Sequence, residues 1–351
     1  MTKNIFENIT NISNNKVAII VEMSGNHKNS IKAMKNFVKK TVELGGDIIK
    51  FQVYTPDTIT LNSNKKDFLV KSNNSWKKYN TLYNLYKKAH TPWAWIEKVA
   101  KDLNKIKFPW FASAFDFSSV EFLEKLNCPA YKIASPEITD IGLIKFIAKT
   151  KKPIFLSTGL ASLKDIDLAV KTIKKIHNKF AILKCTSLYP ASHQDLNLKA
   201  IQFLKKKYKC AIGFSDHSTG DLASKVAVSL GATIIEKHFK LDNDKISIDS
   251  EFSMNLSKLK DFKKDIYEVK KCLGNNSLNI PKSAKKNITG RRSLYICRNI
   301  LKGEKFSYYN IKSVRPFYGM HPKYLTKVIG KKAKRDLFLG DPLKKEHVKN
   351  L

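Results

Sequence analysis

Short apolar runs rich in β-branched residues recur eight times up to residue 240, each followed by a polar stretch with a helical repeat. The runs cover residues 17–21, 47–53, 110–113, 130–134, 153–157, 181–185, 210–214 and 233–235. Between them, segments such as IKAMKNFVKKTVELG and LKDIDLAVKTIKKIH place apolar residues at i, i+3, i+4 and i+7, which gathers them on one helical face. A helix between consecutive strands lets those strands run parallel. Eight such units in about 260 residues predict an α/β fold of the closed (β/α)8 TIM-barrel type, since a doubly wound sheet rarely uses so many similar units. Residues 54–107 exceed what one crossover needs, and predict an extra loop and helix over the face formed by the strands' C-terminal ends.

Beyond SKLKDFKKDIYEVKKCLG the repeat stops. Residues 274–290 are polar and rich in Asn and Lys, and from residue 291 short strand-like runs alternate with Gly turns. The predicted division is a barrel over 1–273, a linker over 274–290 and a small, mostly β domain over 291–351.

Lys and Arg number 65 against 30 acidic residues, a formal charge of +35, yet 42% of the chain is hydrophobic. That length and apolar content can bury a large core, which excludes a disordered basic tail. The five Arg (Arg291, Arg292, Arg298, Arg315 and Arg335) all lie in the last segment, and Lys is spread over nearly every other. An even spread predicts a solvated surface with no nucleic-acid partner, because a nucleic-acid face clusters its cations among exposed aromatics. Five Cys without CxxC spacing predict reduced thiols. The polar N-terminus has no apolar signal-peptide core and no apolar run could span a bilayer, so the expected location is cytoplasmic, away from membranes.

In a TIM barrel chemistry sits where the strands end. The first run ends in Glu22, followed by SGNH, and the second carries Lys50 and Gln52 on one face. The later ends supply Ser113, then Lys132 with Ser135, then Ser157, then Ser187 with Tyr189. The seventh ends in Ser215-Asp216-His217, and the eighth places Glu236 and His238 on one face with Lys237 on the other. Lysines inside apolar strands need an anion, since burying an unpaired ammonium costs several kcal/mol. Lys50 and Lys132 facing one cavity would repel each other, and a bound dianion cradled by Ser113, Ser135, Ser157 and Ser215 would resolve that. His217 and His238, ending neighbouring strands, could share a divalent ion such as Mn²⁺ or Co²⁺ acting as a Lewis acid. Other classes compete: the charge motivates an RNA-binding protein, and Lys132 or Lys50 could form an imine in a barrel aldolase, which borohydride trapping with pyruvate would separate.

The ordered series EMSGNH, KFQVYTPDT, YKIAS, LSTG, LKCTSLYP, FSDHSTG, IEKHF and DSEFS, with a distal RRSLY and VRPFYGM, resembles the sialic acid synthases. These join phosphoenolpyruvate to a sugar aldehyde. The resemblance implies a barrel followed by an antifreeze-like (SAF) β-clip domain, in a homodimer whose SAF domain covers the neighbour's barrel. Within the family, TLYNLYKKAHTPW and Ser187 resemble the branch that makes pseudaminic acid rather than N-acetylneuraminate or legionaminate. Carried onto this chain, Lys50, Ser113, Lys132, Ser135, Ser157, Ser187 and Ser215 would hold phosphoenolpyruvate. His217 and His238 would hold the metal, Mn²⁺ first and Mg²⁺ or Co²⁺ otherwise. Glu22, Gln52, Tyr189, Glu236 and Asp249 would face the diacetamido sugar, with Arg315 reaching in from the partner subunit. Glu22, Lys132, His217 and His238 would be catalytic, with Glu22 a candidate to activate water. ASAF at residues 112–115 departs from the STPF common in the family, leaving Ser113 as the hydroxyl donor. The implied product feeds cell-surface glycans such as glycosylated flagellin.

Overall fold

Helix and strand alternate because polar turns after the strands start the crossover helices, four of them with a side-chain cap. Ser30, Asp116, Asp140 and Ser162 each accept a hydrogen bond from a first-turn backbone N–H, and apolar stripes such as Met34, Phe37 and Val38 then face inward. The computed structural model describes residues 2–11, 16–71, 75–242, 244–275 and 277–351. Its strands are β1 (Ala18–Glu22), β2 (Ile48–Val53), β3 (Trp110–Ala114), β4 (Tyr131–Ile133), β5 (Ile154–Ser157), β6 (Phe180–Cys185), β7 (Ala211–Asp216) and β8 (Ile234–Lys240). Each pairs in parallel with the next, and β1 pairs with β8, so the barrel closes. The predicted TIM barrel is the observed fold. A short β9 (Met254–Asn255), which no sequence pattern signalled, extends from β8.

Two corrections concern the ends of the pattern. Helix Trp93–Lys105, expected as part of an insertion, is the barrel's own crossover between β2 and β3, with Ile96, Val99, Ala100 and Leu103 buried. The added structure is the segment before it, including helix Leu82–Ala89. Near the N-terminus, where the sequence offered no signal, helix Thr2–Thr10 buries Phe6 and Ile9. Phe6 meets Phe111 and Phe155 edge-on at 5.4 and 6.2 Å and fills the interior at the N-terminal end of the strands.

The chain divides into two compact units, one up to Gly274 and one over Asn275–Leu351. The second holds an antiparallel pair, β10 (Ser293–Ile296) and β11 (Ile311–Val314), around its own core of Leu294, Phe306, Ile311 and Leu337. Residues 282–290, expected as open linker, form a 3-10 helix. All five cysteines are free, and burial pushes the Cys128 and Cys210 thiols up to about 12. Among the described residues no helix is long and apolar enough to cross a membrane.

Gly213 shows how tightly β7 meets β8. A Cβ there would lie 2.7 Å from both the Cβ and the carbonyl oxygen of Ile234. Relief would require movement of the β8 backbone, so Gly213→Ala should destabilise the barrel by about 1–3 kcal/mol in urea denaturation.

Candidate active site

Register brings the polar strand ends together. Glu22 lies opposite Lys50 on one side and His238 on the other, Gln52 opposite Ser113, and Ser215 opposite Glu236. They surround a cavity of about 700 Å³ at the C-terminal ends of the strands. Lys50, Gln52, Ser113, Lys132, Ser135, Ser157, Ser187, Tyr189, Ser215, His217, Glu236, His238 and Asp249 all line it.

One predicted barrel residue does not. Glu22 is wholly buried beneath the cavity, held by Lys50 Nζ at 2.7 Å and Gln52 Nε2 at 3.2 Å. Arg315 follows β11 in the second unit and is exposed.

The lysines are the second correction. The sequence suggested a bound dianion as what holds both, and the chain also supplies counter-ions of its own. Lys132 Nζ donates to both Glu236 oxygens, at 2.7 and 2.8 Å, and Lys50 lies between Glu22 and Glu236, the latter 3.7 Å away. Ser215 also donates to Glu236, at 2.8 Å, and Lys50 donates to Ser113 at 3.1 Å. Burial alone would neutralise Glu236, yet Lys132 and Lys50 hold its carboxyl well below the usual range. Burial likewise opposes the charge on Lys50, and Glu22 and Glu236 together raise its pKa. Two ammonium groups and two carboxyls thus meet in one dry floor.

Small groups open space above it. Ser157 Oγ is buried without a hydrogen-bond partner, and Ser135 accepts from the Leu160 N–H at 2.6 Å. A Cβ on Gly159 would collide with Ser187 Oγ and approach Ser135 Oγ and Cys185 Sγ to 3.0 Å, so only glycine leaves this cradle clear. The opposite wall is apolar, built from Leu82, Leu85 and Tyr86 of the added helix with Tyr54 and Phe115.

The imidazoles of His217 and His238 have centroids 5.3 Å apart. His217 Nδ1 faces the Thr186 carbonyl at 3.0 Å, while His238 Nδ1 is buried with no partner. Burial and the neighbouring His217 push His238 well below its usual pKa, keeping it neutral as a metal ligand must be. Among the described residues no group of three or more His, Cys, Asp or Glu side chains is arranged to hold a metal. The pair fits an ion that takes its remaining ligands from elsewhere. His27 is a strut: its Nε2 donates to the Ala89 carbonyl, tying the loop after β1 to the added helix.

Sequence reasoning missed Glu137. It lines the cavity one residue beyond Pro136, has an oxygen without a partner, and is raised by burial to about 7. Its position two residues after Ser135, just past a strand end, was the available signal.

With this geometry in place, the comparisons decide the family. The model for the NeuB family matches residues 37–277, and that for the SAF domain matches residues 291–349. The chain belongs to the NeuB family. Among its NeuB-family relatives, "Pseudaminic acid synthase" of Campylobacter jejuni subsp. jejuni is 42% identical, covering 94% of this chain and 96% of the relative. The protein of that name from Helicobacter pylori is 37% identical, covering 94% and 97%. A crystal structure of N-acetylneuraminic acid (sialic acid) synthetase from Leptospira borgpetersenii, in complex with citrate, is 31% identical with a TM-score of 0.69, covering 78% of this chain and 90% of that one.

Glu137 gives a pH signature. Its folded-state pKa of about 7 exceeds the ordinary 4.5, so between those values the unfolded chain has released a proton that the folded chain retains. Wild-type stability therefore falls as pH rises through this window. Glu137→Gln removes that fall, and its melting temperature should gain on wild type from pH 4.5 to about 7 and stay ahead above it.

Proposed function

We propose that the barrel cavity condenses phosphoenolpyruvate with 2,4-diacetamido-2,4,6-trideoxy-L-altrose and water, giving pseudaminic acid and inorganic phosphate. The carrying observation is the convergence of two lysines, a cradle of hydroxyls and two histidines in one cavity of a NeuB-family barrel. The branch follows from the 42% and 37% identities to relatives named for pseudaminic acid, against 31% to the N-acetylneuraminic acid synthetase. The apolar wall of Leu82, Leu85 and Tyr86 suits an acceptor with acetamido methyls and a 6-deoxy carbon.

Phosphoenolpyruvate lies over the floor, with Lys50 and Lys132 toward its charges and Ser113, Ser135, Ser157, Ser187 and Ser215 donating to its oxygens. Glu22 and Glu236 already balance the lysines, so an arriving dianion leaves the site short of positive charge. His217 and His238 would hold a divalent ion, Mn²⁺ in our reading, that would supply positive charge and Lewis acidity to the site. C3 of phosphoenolpyruvate adds to the aldehyde carbon, whose oxygen takes up a proton to become the product's hydroxyl, leaving a cation at C2. Water adds there, and Glu137, poised near neutrality, takes the proton the water loses. The C2–O bond to phosphate then breaks, releasing phosphate and the keto acid. Gln52, Tyr189 and Asp249 orient the acceptor, while Glu22 acts from beneath by holding Lys50. The lysines and hydroxyls are fixed before substrate arrives, the kind of preorganised electrostatics that contributes most to such steps.

The direct test is phosphate release from phosphoenolpyruvate with three acceptors: the L-altrose derivative, its legionaminate-pathway counterpart and N-acetylmannosamine. The first should give the highest kcat/KM, and exhaustive chelation should silence the reaction until Mn²⁺ returns. A preference for another acceptor would move the protein to another branch, and full turnover after chelation would remove the metal.

The reading also includes a homodimer in which Arg315 of the neighbouring subunit completes the acceptor site, its planar fork suited to an acetamido carbonyl. Arg315→Ala and His217→Ala should each be inactive alone. Mixed and re-dimerised, about half the dimers are heterodimers with one intact site each, so recovery should approach roughly a quarter of wild type. Absence of recovery despite proven subunit exchange would exclude a shared site.

A further inference from the structure

We propose that the buried Lys237–Asp216 ion pair on the outer face of β7 and β8 is a positioning device that sets the spacing of His217 and His238, and with it the affinity for the divalent ion; this rests on the reading that those histidines hold one.

Asp216 lies opposite Lys237 in the β7–β8 ladder, one position beyond Ser215 and Glu236. Side chains alternate across a strand, so Ser215 and Glu236 face the cavity while Asp216 and Lys237 face away from it, and His217 and His238 return to the cavity side. Each partner of the ion pair therefore immediately precedes one of the histidines in sequence. Lys237 Nζ donates to Asp216 Oδ2 at 2.9 Å and to the Ser218 carbonyl at 2.8 Å, gripping the chain on both sides of His217. Asp216 Oδ1 accepts from the Ser218 N–H at 2.9 Å and its Oγ at 2.7 Å, and Oδ2 accepts from Ser224 Oγ at 2.6 Å.

The β7–β8 ladder ends at this pair, and His217 follows the last residue of its strand. Other contacts on His217 come from the end of β6 and the segment after it, where Cys185 Sγ, the Thr186 carbonyl and the Tyr189 ring meet its ring and Ala191 holds its carbonyl, and from Phe252. Among the described residues, the hydrogen bonds that join β8 to the 216–218 turn, beyond the ladder, pass through Lys237. Lys237 and Asp216 are each only 1% exposed, and Ser218 and Ser224 are fully buried. Apolar side chains would pack such a strand–helix seam at least as stably as an ion pair. What they would lack is direction: the ammonium and carboxylate fix the turn at defined atoms. Groups that orient metal ligands from behind commonly govern metal affinity.

The test compares Asp216→Asn/Lys237→Met, which removes both charges and leaves neither partner orphaned, with wild type and His217→Ala. Mn²⁺ binding to each is measured by electron paramagnetic resonance of the free ion, alongside thermal unfolding and the KM for phosphoenolpyruvate at saturating Mn²⁺. The double variant should unfold cooperatively, bind Mn²⁺ roughly 10- to 100-fold more weakly, and keep its KM for phosphoenolpyruvate within about twofold. Wild-type Mn²⁺ affinity in the folded double variant would overturn the proposal, as would equal losses toward Mn²⁺ and phosphoenolpyruvate. If the double variant does not fold, Ser224→Ala decides instead: about threefold weaker Mn²⁺ binding upholds the proposal and unchanged binding overturns it. Wild type binding no more tightly than His217→Ala would instead defeat the reading of the histidines as the metal site.

Discussion

Everything in the cavity depends on the four-charge floor of Lys50, Glu22, Lys132 and Glu236. Each member is nearly inaccessible to water, and each charge is tolerable only because an opposite one meets it. The partners come from β1, β2, β4 and β8, so the floor forms only when the barrel has closed with β1 against β8. Conversely, withdrawing any one member leaves the buried floor a charge out of balance, which makes it a rigid reference for the hydroxyls and imidazoles around it.

Much of this was legible in the sequence because two simple periods carry it. Strand runs and helical stripes marked all eight strands to within a few residues, and the strand-end rule collected the polar lining residues named above except Asp249, which came only from the family resemblance, and Glu137. What stayed hidden has physical causes. Helix Thr2–Thr10 is short and largely polar, and its one decisive residue, Phe6, gains meaning only from Phe111 and Phe155 more than a hundred residues away. Helix Trp93–Lys105 was absorbed into an apparent insertion because the added segment before it blurs where the crossover begins. The counter-ions of the lysines are present in the sequence as Glu22 and Glu236, yet pairing them requires register, which single-strand patterns do not contain.

The cavity joins two kinds of surface with different origins. Its charged floor and hydroxyl cradle come from the barrel strands and the turns that follow them, and its apolar wall comes from the added segment between β2 and β3. That separation lets a barrel keep one set of contacts while the wall changes, the usual way strand-borne and loop-borne residues divide their work. His27 links the two parts, since it joins the loop after β1 to the end of the added helix.

The stopper formed by Phe6 also bears on how the chain reaches its native state. Helix Thr2–Thr10 emerges during synthesis before its seat, since the rings that receive it belong to β3 and β5, and the barrel it stops is sealed only when residues near 234 meet residues near 18. Contacts of such sequence separation carry a large loop-closure entropy and slow the search for the native topology. Until then the apolar face of the first helix has no seat, and the half-made sheet exposes strand edges, the surfaces through which incomplete barrels associate. The dense, evenly spread lysines give partly folded copies a like charge, and like charge opposes their association.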